Sequence, residues 1–305
     1  MNYCGLKLKS DLFLAPMHEY TNVGFRMLCK KYNAGLCYSE MIHVDSFYRD
    51  EEYFLNFPEK EKPVAVQIIG NNLKSIGYTC RVLSEYADVI DINFGCPMEK
   101  EAESMCGAVL LNFPKKIEDI VKTAVKSSSV PVSAKIRIAG TVKNTLKIGK
   151  LIEKSGASAI TIHARKIKDN YAIKPDLRVI KELKNNLTIP VVGNGGIDSY
   201  EKYKEMKETK CDAVMIGKAS LGNPLIFKDI KENKRALVKI KTQTELLKEY
   251  ISLDKKYNKH YEFSYTKRHA LAFMKGFKGS AQIRNKVSES KNEKELLKVI
   301  KHIDI

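Results

Sequence analysis

Short apolar runs alternate with amphipathic stretches along most of this chain. Eight of the runs are rich in β-branched residues and end near Gly, Pro, Asn or Ser; they cover residues 12–17, 36–42, 63–70, 88–95, 130–138, 158–164, 189–197 and 211–218. The segments between them carry apolar residues at spacings of three and four, which predicts helices. Strands and helices that alternate in this way predict an α/β fold of the (β/α)8 TIM-barrel type. A doubly wound parallel sheet is the main alternative, although no GxGxxG follows the first strand.

Polar residues stand at or just after the end of each predicted strand. In chain order they are Met17, Glu40, Gln67, Asn93 with Cys96, Lys135 with Arg137, His163 with Arg165, Asn194 with Gly195, and Gly217 with Lys218. The carboxyl ends of TIM-barrel strands meet at one rim, where the active site is built. We therefore expect these residues to converge.

Gln67 and Lys135 lie inside runs that are otherwise apolar. A polar side chain in a strand that is buried on both faces needs a partner. For Lys135 the partner is either a bound ligand or a buried carboxylate, and the residue pattern leaves both open.

Small residues follow the last two strands, in GNGGI (193–197) and GKASLGNP (217–224). TIM barrels commonly hold a phosphate at this place, because free backbone N–H groups point toward it. Glycine permits close approach of the backbone, and Lys218 adds positive charge. The pattern predicts a ligand with a phosphate group across the barrel mouth, with tight turns as the alternative role of the glycines.

The net charge of +17 favours a polyanionic partner such as nucleic acid, although a lysine-rich solvated surface is the alternative. Residues 229–305 contain 19 Lys or Arg and 10 Asp or Glu, a net charge of +9. This segment also has helical periodicity. We therefore expect a barrel domain at 1–228 and a helical, basic domain at 229–305.

Seven cysteines are scattered along the chain without a CxxC pair, which argues against disulfides and against a zinc or iron–sulfur site. We expect no bound metal.

No apolar run reaches the length of about 18 residues that spans a bilayer, and the first residues lack a signal-peptide pattern. We expect a cytoplasmic protein with no membrane contact. The oligomeric state is not readable from the sequence, with a monomer slightly favoured.

The order of several motifs resembles the tRNA-dihydrouridine synthases, flavoenzymes that reduce a uridine in tRNA. These motifs are APMHEYTNVGFR (15–26), SEMI (39–42), VQIIG (66–70), INFGCP (92–97), CGAVLL (106–111), AKIRIAG (134–140), TIHAR (161–165), VVGNGGI (191–197) and MIGKASLGNPLIF (215–227). Residues 265–284 are similar, more weakly, to the helical tRNA-binding domain of that family. The resemblance implies FMN as cofactor, NADPH or NADH as reductant, and tRNA as substrate.

The resemblance also implies roles for individual residues. Cys96 would be the catalytic general acid, which gives a proton to uracil C5 while hydride from flavin N5 reaches C6. The flavin would be held by Ala15, Pro16, Met17, Gln67, Lys135 and His163, and its phosphate by Asn194, Gly195, Gly196, Gly217 and Lys218. By position, Asn93 and Arg165 are candidate donors to the uracil carbonyl, and Lys267 and Arg268 are candidate contacts to tRNA phosphates.

The chain departs from the family pattern at three places. In the loop after His163, Asp169 and Asn170 precede Tyr171 where the family often has Gln ahead of the aromatic, which leaves the substrate contacts of that loop open. Met105 and Cys106 precede Gly107 and Ala108 where the family usually has GxGA, and Lys218 replaces the usual Arg, so a point charge replaces a bidentate fork.

Two other functions stay open: a flavin-dependent dehydrogenase of a free pyrimidine, of dihydroorotate type, and a non-catalytic RNA-binding protein. The basic C-terminal segment argues against the first, and the intact Cys96, Lys135 and His163 argue against the second. The sequence does not identify the uridine.

Overall fold

Eight parallel strands close into a barrel in the computed structural model, which describes residues 1–234 and 239–301. The strands are β1 (Leu12–Leu14), β2 (Leu36–Tyr38), β3 (Val64–Ile69), β4 (Val89–Phe94), β5 (Val132–Ile138), β6 (Ala159–Lys166), β7 (Val191–Asn194) and β8 (Ala213–Ile216). β8 pairs with β1, β1 with β2, and β2 with β3, so the sheet has no open edge. The predicted TIM barrel is confirmed, and the doubly wound sheet is excluded.

Helices follow the strands on the outside of the barrel. They are α1 (Val23–Lys31), α2 (Val44–Arg49), α3 (Glu51–Phe54), α4 (Leu73–Leu83), α5 (Glu99–Glu103), α6 (Pro114–Ser127), α7 (Val142–Lys154), α8 (Leu177–Asn186), α9 (Tyr200–Lys207) and α10 (Ile226–Lys231). Four more helices come after them: α11 (Ile240–Tyr257), α12 (Phe263–Phe273), α13 (Ser280–Glu289) and α14 (Glu293–Lys301). Three 3-10 helices lie at Glu59–Glu61, Gly107–Asn112 and Lys218–Ser220.

Successive side chains of each strand point alternately into the barrel and toward the helices. The inward residues near the strand starts, among them Phe13, Leu36 and Ala65, form a buried apolar cluster. An antiparallel hairpin of Asn2–Tyr3 with Leu6–Lys7 packs onto this cluster. Its Tyr3 hydroxyl lies 2.9 Å from the Tyr38 hydroxyl. The starts of the strands are therefore plugged, and only their carboxyl ends can hold a ligand.

The C-terminal helices pack on α1 through a polar junction centred on Asn22. Its Oδ1 accepts from the Phe25 N–H (3.1 Å) and so caps α1, while its Nδ2 donates to the Tyr250 hydroxyl (2.9 Å) and to Asp254 Oδ1 (3.1 Å). Gly24 is required beside it, because a Cβ there would lie 2.5 Å from the Asp254 Cβ. The backbones of α1 and α11 thus approach more closely than any other side chain would allow.

A second contact across this interface is made by His269, which is fully buried on α12. Its Nε2 donates to the Tyr20 carbonyl at 2.9 Å, and its ring lies 4.2 Å from the Tyr250 ring and 4.8 Å from the Phe25 ring, centroid to centroid. Burial lowers the pKa of His269 to about 3. The neutral ring is therefore part of a continuous core between the barrel and the C-terminal helices.

The domain boundary at residue 228 stays a prediction. α10 runs across it, and residues 235–238 and 302–305 of the predicted C-terminal domain lie outside the described residues. Within the part of the chain that the structure describes, no helix is both long and apolar enough to cross a bilayer.

We expect Asn22→Ala to lower the free energy of unfolding by about 2–4 kcal/mol, because it removes a helix cap and leaves Tyr250 and Asp254 short of a buried donor. Urea unfolding measures the change. The matched control is Asn72→Ala, since Asn72 caps α4 through the Lys74 and Ser75 N–H groups but is exposed. Its loss should be about 1 kcal/mol. If both variants lost the same free energy of unfolding, the bonds from Asn22 to Tyr250 and Asp254 would add no stability beyond the helix cap.

Candidate active site

A cavity of about 810 Å³ opens at the carboxyl ends of the barrel strands. All the predicted catalytic and flavin-binding residues line it, together with both candidate uracil donors: Ala15, Pro16, Met17, Gln67, Asn93, Cys96, Lys135, His163, Arg165, Asn194, Gly195, Gly196, Gly217 and Lys218. Lys267 and Arg268 lie on α12, outside this wall. The structure thus brings together the predicted strand-end residues except Glu40, which lines a separate pocket between the barrel and the C-terminal helices; the individual roles stay predictions.

The cavity floor is organised by the buried carboxylate of Asp91 on β4. Asp91 Oδ1 accepts from the Ser133 hydroxyl (2.6 Å), and Oδ2 accepts from Gln67 Nε2 (2.7 Å). Gln67 Oε1 in turn accepts from Asn93 Nδ2 at 2.9 Å. A carboxylate has no hydrogen to donate, so it determines which end of the Gln67 amide faces it and, through Gln67, the orientation of Asn93. Burial raises the pKa of Asp91 to about 6.

Cys96 lies on a bend directly after β4, and Asn93 holds that bend. Asn93 Oδ1 accepts from the N–H groups of Gly95 and Cys96, both at 2.8 Å. Arg137 Nε donates to the Gly95 carbonyl at 2.8 Å, on the other side of the same peptide. The sulfur is therefore displayed at the cavity wall by backbone hydrogen bonds and needs no contact of its own for positioning.

The loop that follows packs back against the cysteine. The Ala108 N–H donates to the Cys96 carbonyl at 2.9 Å. Gly107 has a φ of 66°, and a Cβ there would lie 2.7 Å from the Cys96 carbonyl oxygen, so only glycine fits. Met105 also has positive φ, at 52°. The loop thus accommodates Met105 and Cys106, where the chain departs from the family pattern, while Gly107 and Ala108 keep their contacts with the Cys96 carbonyl.

Burial raises the pKa of the half-buried Cys96 thiol above its ordinary value. The Met98 N–H and the positive charges of Arg137 and Lys135 act in the opposite direction but are weaker, and the charge of Glu101 adds to the rise. A thiol in this setting keeps its proton at neutral pH. It is suited to act as an acid, whereas a cysteine nucleophile needs a lowered pKa.

Lys135 has neither a hydrogen bond nor an ion pair among the described residues. The carboxylate partner that the sequence left open is therefore absent there: Asp91 attracts Lys135 electrostatically, but its oxygens are bonded to Ser133 and Gln67. Burial, with a contribution from Arg137, lowers the pKa of Lys135 to about 8. An ammonium group that lines the cavity without a counter-charge fits an anionic or electron-rich ligand.

His163 and Arg165 form a pair at the end of β6, one strand beyond the β5 neighbour of the cysteine strand β4. Arg165 Nη1 lies 3.1 Å from His163 Nε2. Because a guanidinium can only donate, Nε2 accepts and Nδ1 carries the proton. Burial and the nearby charges of Lys135, Arg137 and Arg165 lower the pKa of His163 to about 2. The imidazole is neutral at physiological pH.

Arg165 also supports the loop after β6. Its Nε donates to the Ile173 carbonyl (2.7 Å) and its Nη2 to the Tyr171 carbonyl (3.2 Å). With the His163 bond, these contacts use three of the five Arg165 N–H groups, so one hydrogen on each Nη is left for a ligand. Asn93 Nδ2 gives one hydrogen to Gln67, and its second lies toward Met41 Sδ at 3.7 Å. These remaining hydrogens are the ones that the predicted roles as donors to the substrate carbonyl would use.

The segments after β7 and β8, which are predicted to bind the phosphate, have backbone conformations that suit glycine. Gly195 and Gly196 have φ values of +137° and +71°, which favour glycine. Asn194 Nδ2 donates to the Met215 carbonyl at 2.8 Å and so ties β7 to β8. Lys218 Nζ lies 3.7 Å from the centre of the Tyr171 ring, whose side chain is 60% exposed. The lysine is held at the rim by a cation–π contact.

Arg268 lies close to the loop after β1, which forms another part of the rim. Its Nη2 is 3.0 Å from Glu19 Oε2, and its guanidinium carbon is 5.9 Å from the centre of the Tyr20 ring. Tyr20 itself lines the cavity. Arg268 is therefore near the opening, although one carboxylate already neutralises it in part.

Sequence reasoning missed three features of the site: the role of Asp91, the bend-holding role of Arg137, and the contact of Tyr171 with Lys218. An acidic residue inside the apolar run DVIDINFG was the available signal for Asp91. Nothing in the sequence indicates that Tyr171 lies under Lys218, because the two residues are brought together only by barrel closure.

Comparison with known proteins gives a consistent match. The family model described as Dihydrouridine synthase (Dus) matches residues 13–304. A probable tRNA-dihydrouridine synthase of Aquifex aeolicus is 33% identical over 301 residues, covering 96% of this chain and 95% of that protein. The tRNA-dihydrouridine synthase B of Pasteurella multocida is 38% identical over 229 residues, covering 73% of this chain and 69% of that protein.

Solved structures at low sequence identity share the fold. Morphinone reductase aligns with a TM-score of 0.58 at 10% identity, covering 77% of this chain and 90% of its own. A variant of NCR from Zymomonas mobilis aligns with a TM-score of 0.59 at 14% identity, covering 80% and 93%. These similarities support the TIM-barrel assignment.

We expect the His163 ring to show no titration between pH 5 and 8, since its pKa of about 2 lies far below that range. Two-bond ¹H–¹⁵N NMR spectra of the ring nitrogens measure the protonation state, with a free histidine peptide of pKa about 6.5 as reference. The spectra should also show a proton on Nδ1. A midpoint near 6.5 for His163 would contradict the assignment of a buried neutral ring.

Proposed function

The chain belongs to the dihydrouridine synthase family, and we propose that it reduces the C5–C6 double bond of a uridine in tRNA with a bound FMN. The names of the Aquifex and Pasteurella relatives support tRNA as the substrate. The observation that carries the proposal is a thiol of raised pKa, fixed on the Cys96 bend at the wall of a barrel-mouth cavity. A free-pyrimidine dehydrogenase and a non-catalytic RNA-binding protein have no comparable support.

The residues around the cavity fit an FMN molecule. The cavity volume of about 810 Å³ is in the range of cofactor sites. Ala15, Pro16 and Met17 would lie against the ring system, and the free Lys135 ammonium would face its electron-rich edge. The N–H groups of Gly195 and Gly196, with Lys218, would hold the phosphate. When bound, FMN supplies the hydride, with NADPH or NADH as its source.

Gln67 and His163 have spare donors for the ring. One Gln67 Nε2 hydrogen is committed to Asp91 and the second is free, and the Nδ1–H of the neutral His163 is free as well. Because His163 stays neutral, it adds no charge beside Lys135. Lys218 would have to leave the face of Tyr171, or bring the ring with it, to meet the phosphate.

Cys96 would act at its sulfur as a general acid. It holds a proton at neutral pH and would place it on uracil C5 as hydride arrives at C6. A role as nucleophile is disfavoured, because Nε2 of His163, one of the imidazoles that line the cavity, already accepts from Arg165, and no hydrogen bond joins the thiol to an imidazole among the described residues. The Asn93 contacts keep the sulfur in place during the transfer.

The target uridine must leave its stack to reach the cavity, and the rest of the tRNA needs a basic surface. We assign this surface to the predicted C-terminal domain at 229–305, with Arg268 near the opening and Lys267 next to it on α12. Removal of that domain is a poor test, because it would expose Asn22, Gly24 and the cavity that His269 fills. Point substitutions are therefore the better choice.

For Cys96→Ala we expect flavin content and reduction by NADPH to stay within about twofold, while reoxidation by unmodified tRNA slows by about 10²–10⁴-fold. Stopped-flow flavin absorbance measures both half-reactions. Cys4→Ala, which changes a cysteine of the N-terminal hairpin away from the cavity, is the control. Parallel loss of flavin and of both half-reactions would assign Cys96 a structural role instead.

For Lys267→Ala combined with Arg268→Ala we expect weaker tRNA binding and a salt dependence of log K that is less steep by about 1–2, one for each lost phosphate contact. Filter binding across a salt series measures the slope. The control is Lys115→Ala with Lys122→Ala, an exposed basic pair on α6. An unchanged slope in the α12 variant would place the tRNA surface elsewhere.

A further inference from the structure

A mixed group of metal-ligating side chains lies beside the catalytic loop. His43 ends a two-residue parallel strand, Ile42–His43, that comes after β2 and pairs with β3. Glu101 and Cys106 belong to the segment after β4 that begins with Cys96. One potential ligand atom from each, an imidazole nitrogen, a carboxylate oxygen and the thiol sulfur, lie within 4.8 Å of one another. Ligands of a tetrahedral zinc ion lie about 3.3–3.7 Å apart, so small side-chain shifts would bring the three atoms to bonding positions.

Glu101 gives an independent reason to expect a ligand. The residue is only 9% exposed, and among the described residues its carboxylate receives no hydrogen bond and has no ion-pair partner. A mostly buried carboxylate whose oxygens have no protein donor is free to bind a cation. The ring nitrogens of His43 also have no partner in the described part of the chain.

The surrounding charge favours a cation as well. Two carboxylates, Glu101 and Asp45, act on the Cys106 sulfur against one ammonium, that of Lys116. Asp45 is itself anchored by the Ser75 hydroxyl at 2.6 Å. Asn71 Nδ2 donates to the carbonyls of Ser104 (3.0 Å) and Met105 (3.1 Å), so the backbone beside Cys106 is already fixed. A ligand set fixed in this way loses little freedom on binding an ion.

We propose that His43, Glu101 and Cys106 bind one divalent transition-metal ion, preferably Zn²⁺, with water as the fourth ligand. The Cys106 thiol donates to the Ser104 carbonyl at 3.2 Å in this structure, and it would release that proton to solvent as the metal–sulfur bond forms. The combination of imidazole, thiolate and carboxylate suits zinc better than magnesium or calcium, which take oxygen ligands. The ion cross-links the turn after β2 to the loop after β4. It thereby restrains the loop that carries Cys96, and this structural role is independent of the flavin and of the tRNA.

The expectation of a metal-free protein rested on the absence of paired cysteines. The site has no such signature, since its ligands come from two strand-end loops that are distant in sequence. Cys106 is also one of the residues at which the chain departs from the family pattern, so the ion would be a property of this chain rather than of the whole family.

The test is zinc binding by the full-length holoprotein after removal of metal with a chelator. Titration against a chromophoric competitor gives affinity and stoichiometry, and X-ray absorption at the zinc edge identifies the ligands without interference from flavin. We expect one zinc per chain with one sulfur at about 2.3 Å. Cys106→Ser should remove the sulfur signal, and Glu101→Gln and His43→Gln should each weaken binding by about 100-fold or more.

Glu103→Gln is the matched control, because Glu103 lies on the same short helix but is exposed. It should bind zinc like the wild type. Hydrogen exchange over residues 96–112 should slow on zinc addition in the wild type and in Glu103→Gln, but not in Glu101→Gln. If Cys106→Ser does not fold, the His43 and Glu101 variants decide the result. Absence of zinc binding at micromolar free metal, a sulfur signal that persists in Cys106→Ser, or wild-type affinity in Glu101→Gln would each overturn the proposal.

Discussion

The buried carboxylate of Asp91 is the fixed point from which the candidate site is built. An amide side chain can present either end to a neighbour, and two amides in series can adopt several arrangements. An acceptor-only group at one end removes that freedom: Gln67 must direct its nitrogen to Asp91, so its oxygen meets the Asn93 nitrogen, and the Asn93 oxygen meets the Gly95 and Cys96 N–H groups. The position of the thiol therefore depends on a charge two side chains away.

The same carboxylate explains how the barrel tolerates so many cations at its mouth. The two acidic residues that line the cavity, Asp169 and Asp198, are engaged by the Lys166 N–H and by Lys202. Asp91 lowers the cost of burying Lys135 by Coulomb attraction without occupying the ammonium. Positive charge thus stays available at the cavity wall, and it adds to burial, the larger cause, in keeping His163 neutral. This arrangement suits a ligand that is anionic at one end and aromatic along its length.

Much of the fold could be predicted from the sequence, because the signals are local. A β-branched run that ends in Gly, Pro or Asn predicts its own strand, and eight such runs determine the number of strands in the barrel. Candidate residues at the strand ends could be named for the same reason, since the fold brings strand ends together wherever they lie in the chain. The 3.7 Å approach of Lys218 to Tyr171 and the Asn22 junction with Tyr250 and Asp254 depend on contacts between distant segments, which no local pattern reports.

The C-terminal helices and the flavin-side wall of the cavity are mechanically connected through the loop after β1. Met17 exchanges hydrogen bonds with the Thr21 hydroxyl, which accepts from the Met17 N–H and donates to its carbonyl, each at 3.1 Å. His269 holds Tyr20, and Arg268 holds Glu19, in the same short segment. A contact between tRNA and Arg268 would compete with the Glu19 ion pair and so act directly on a loop that lines the cavity. The loop is also held by Arg26, whose Nη1 donates to the Thr21 carbonyl at 2.7 Å, and by the Tyr20 and Thr21 N–H groups, which donate to the Met17 carbonyl. A tRNA contact at Arg268 would therefore act on a segment that is anchored at both of its ends, and would link tRNA binding to the shape of the cavity wall.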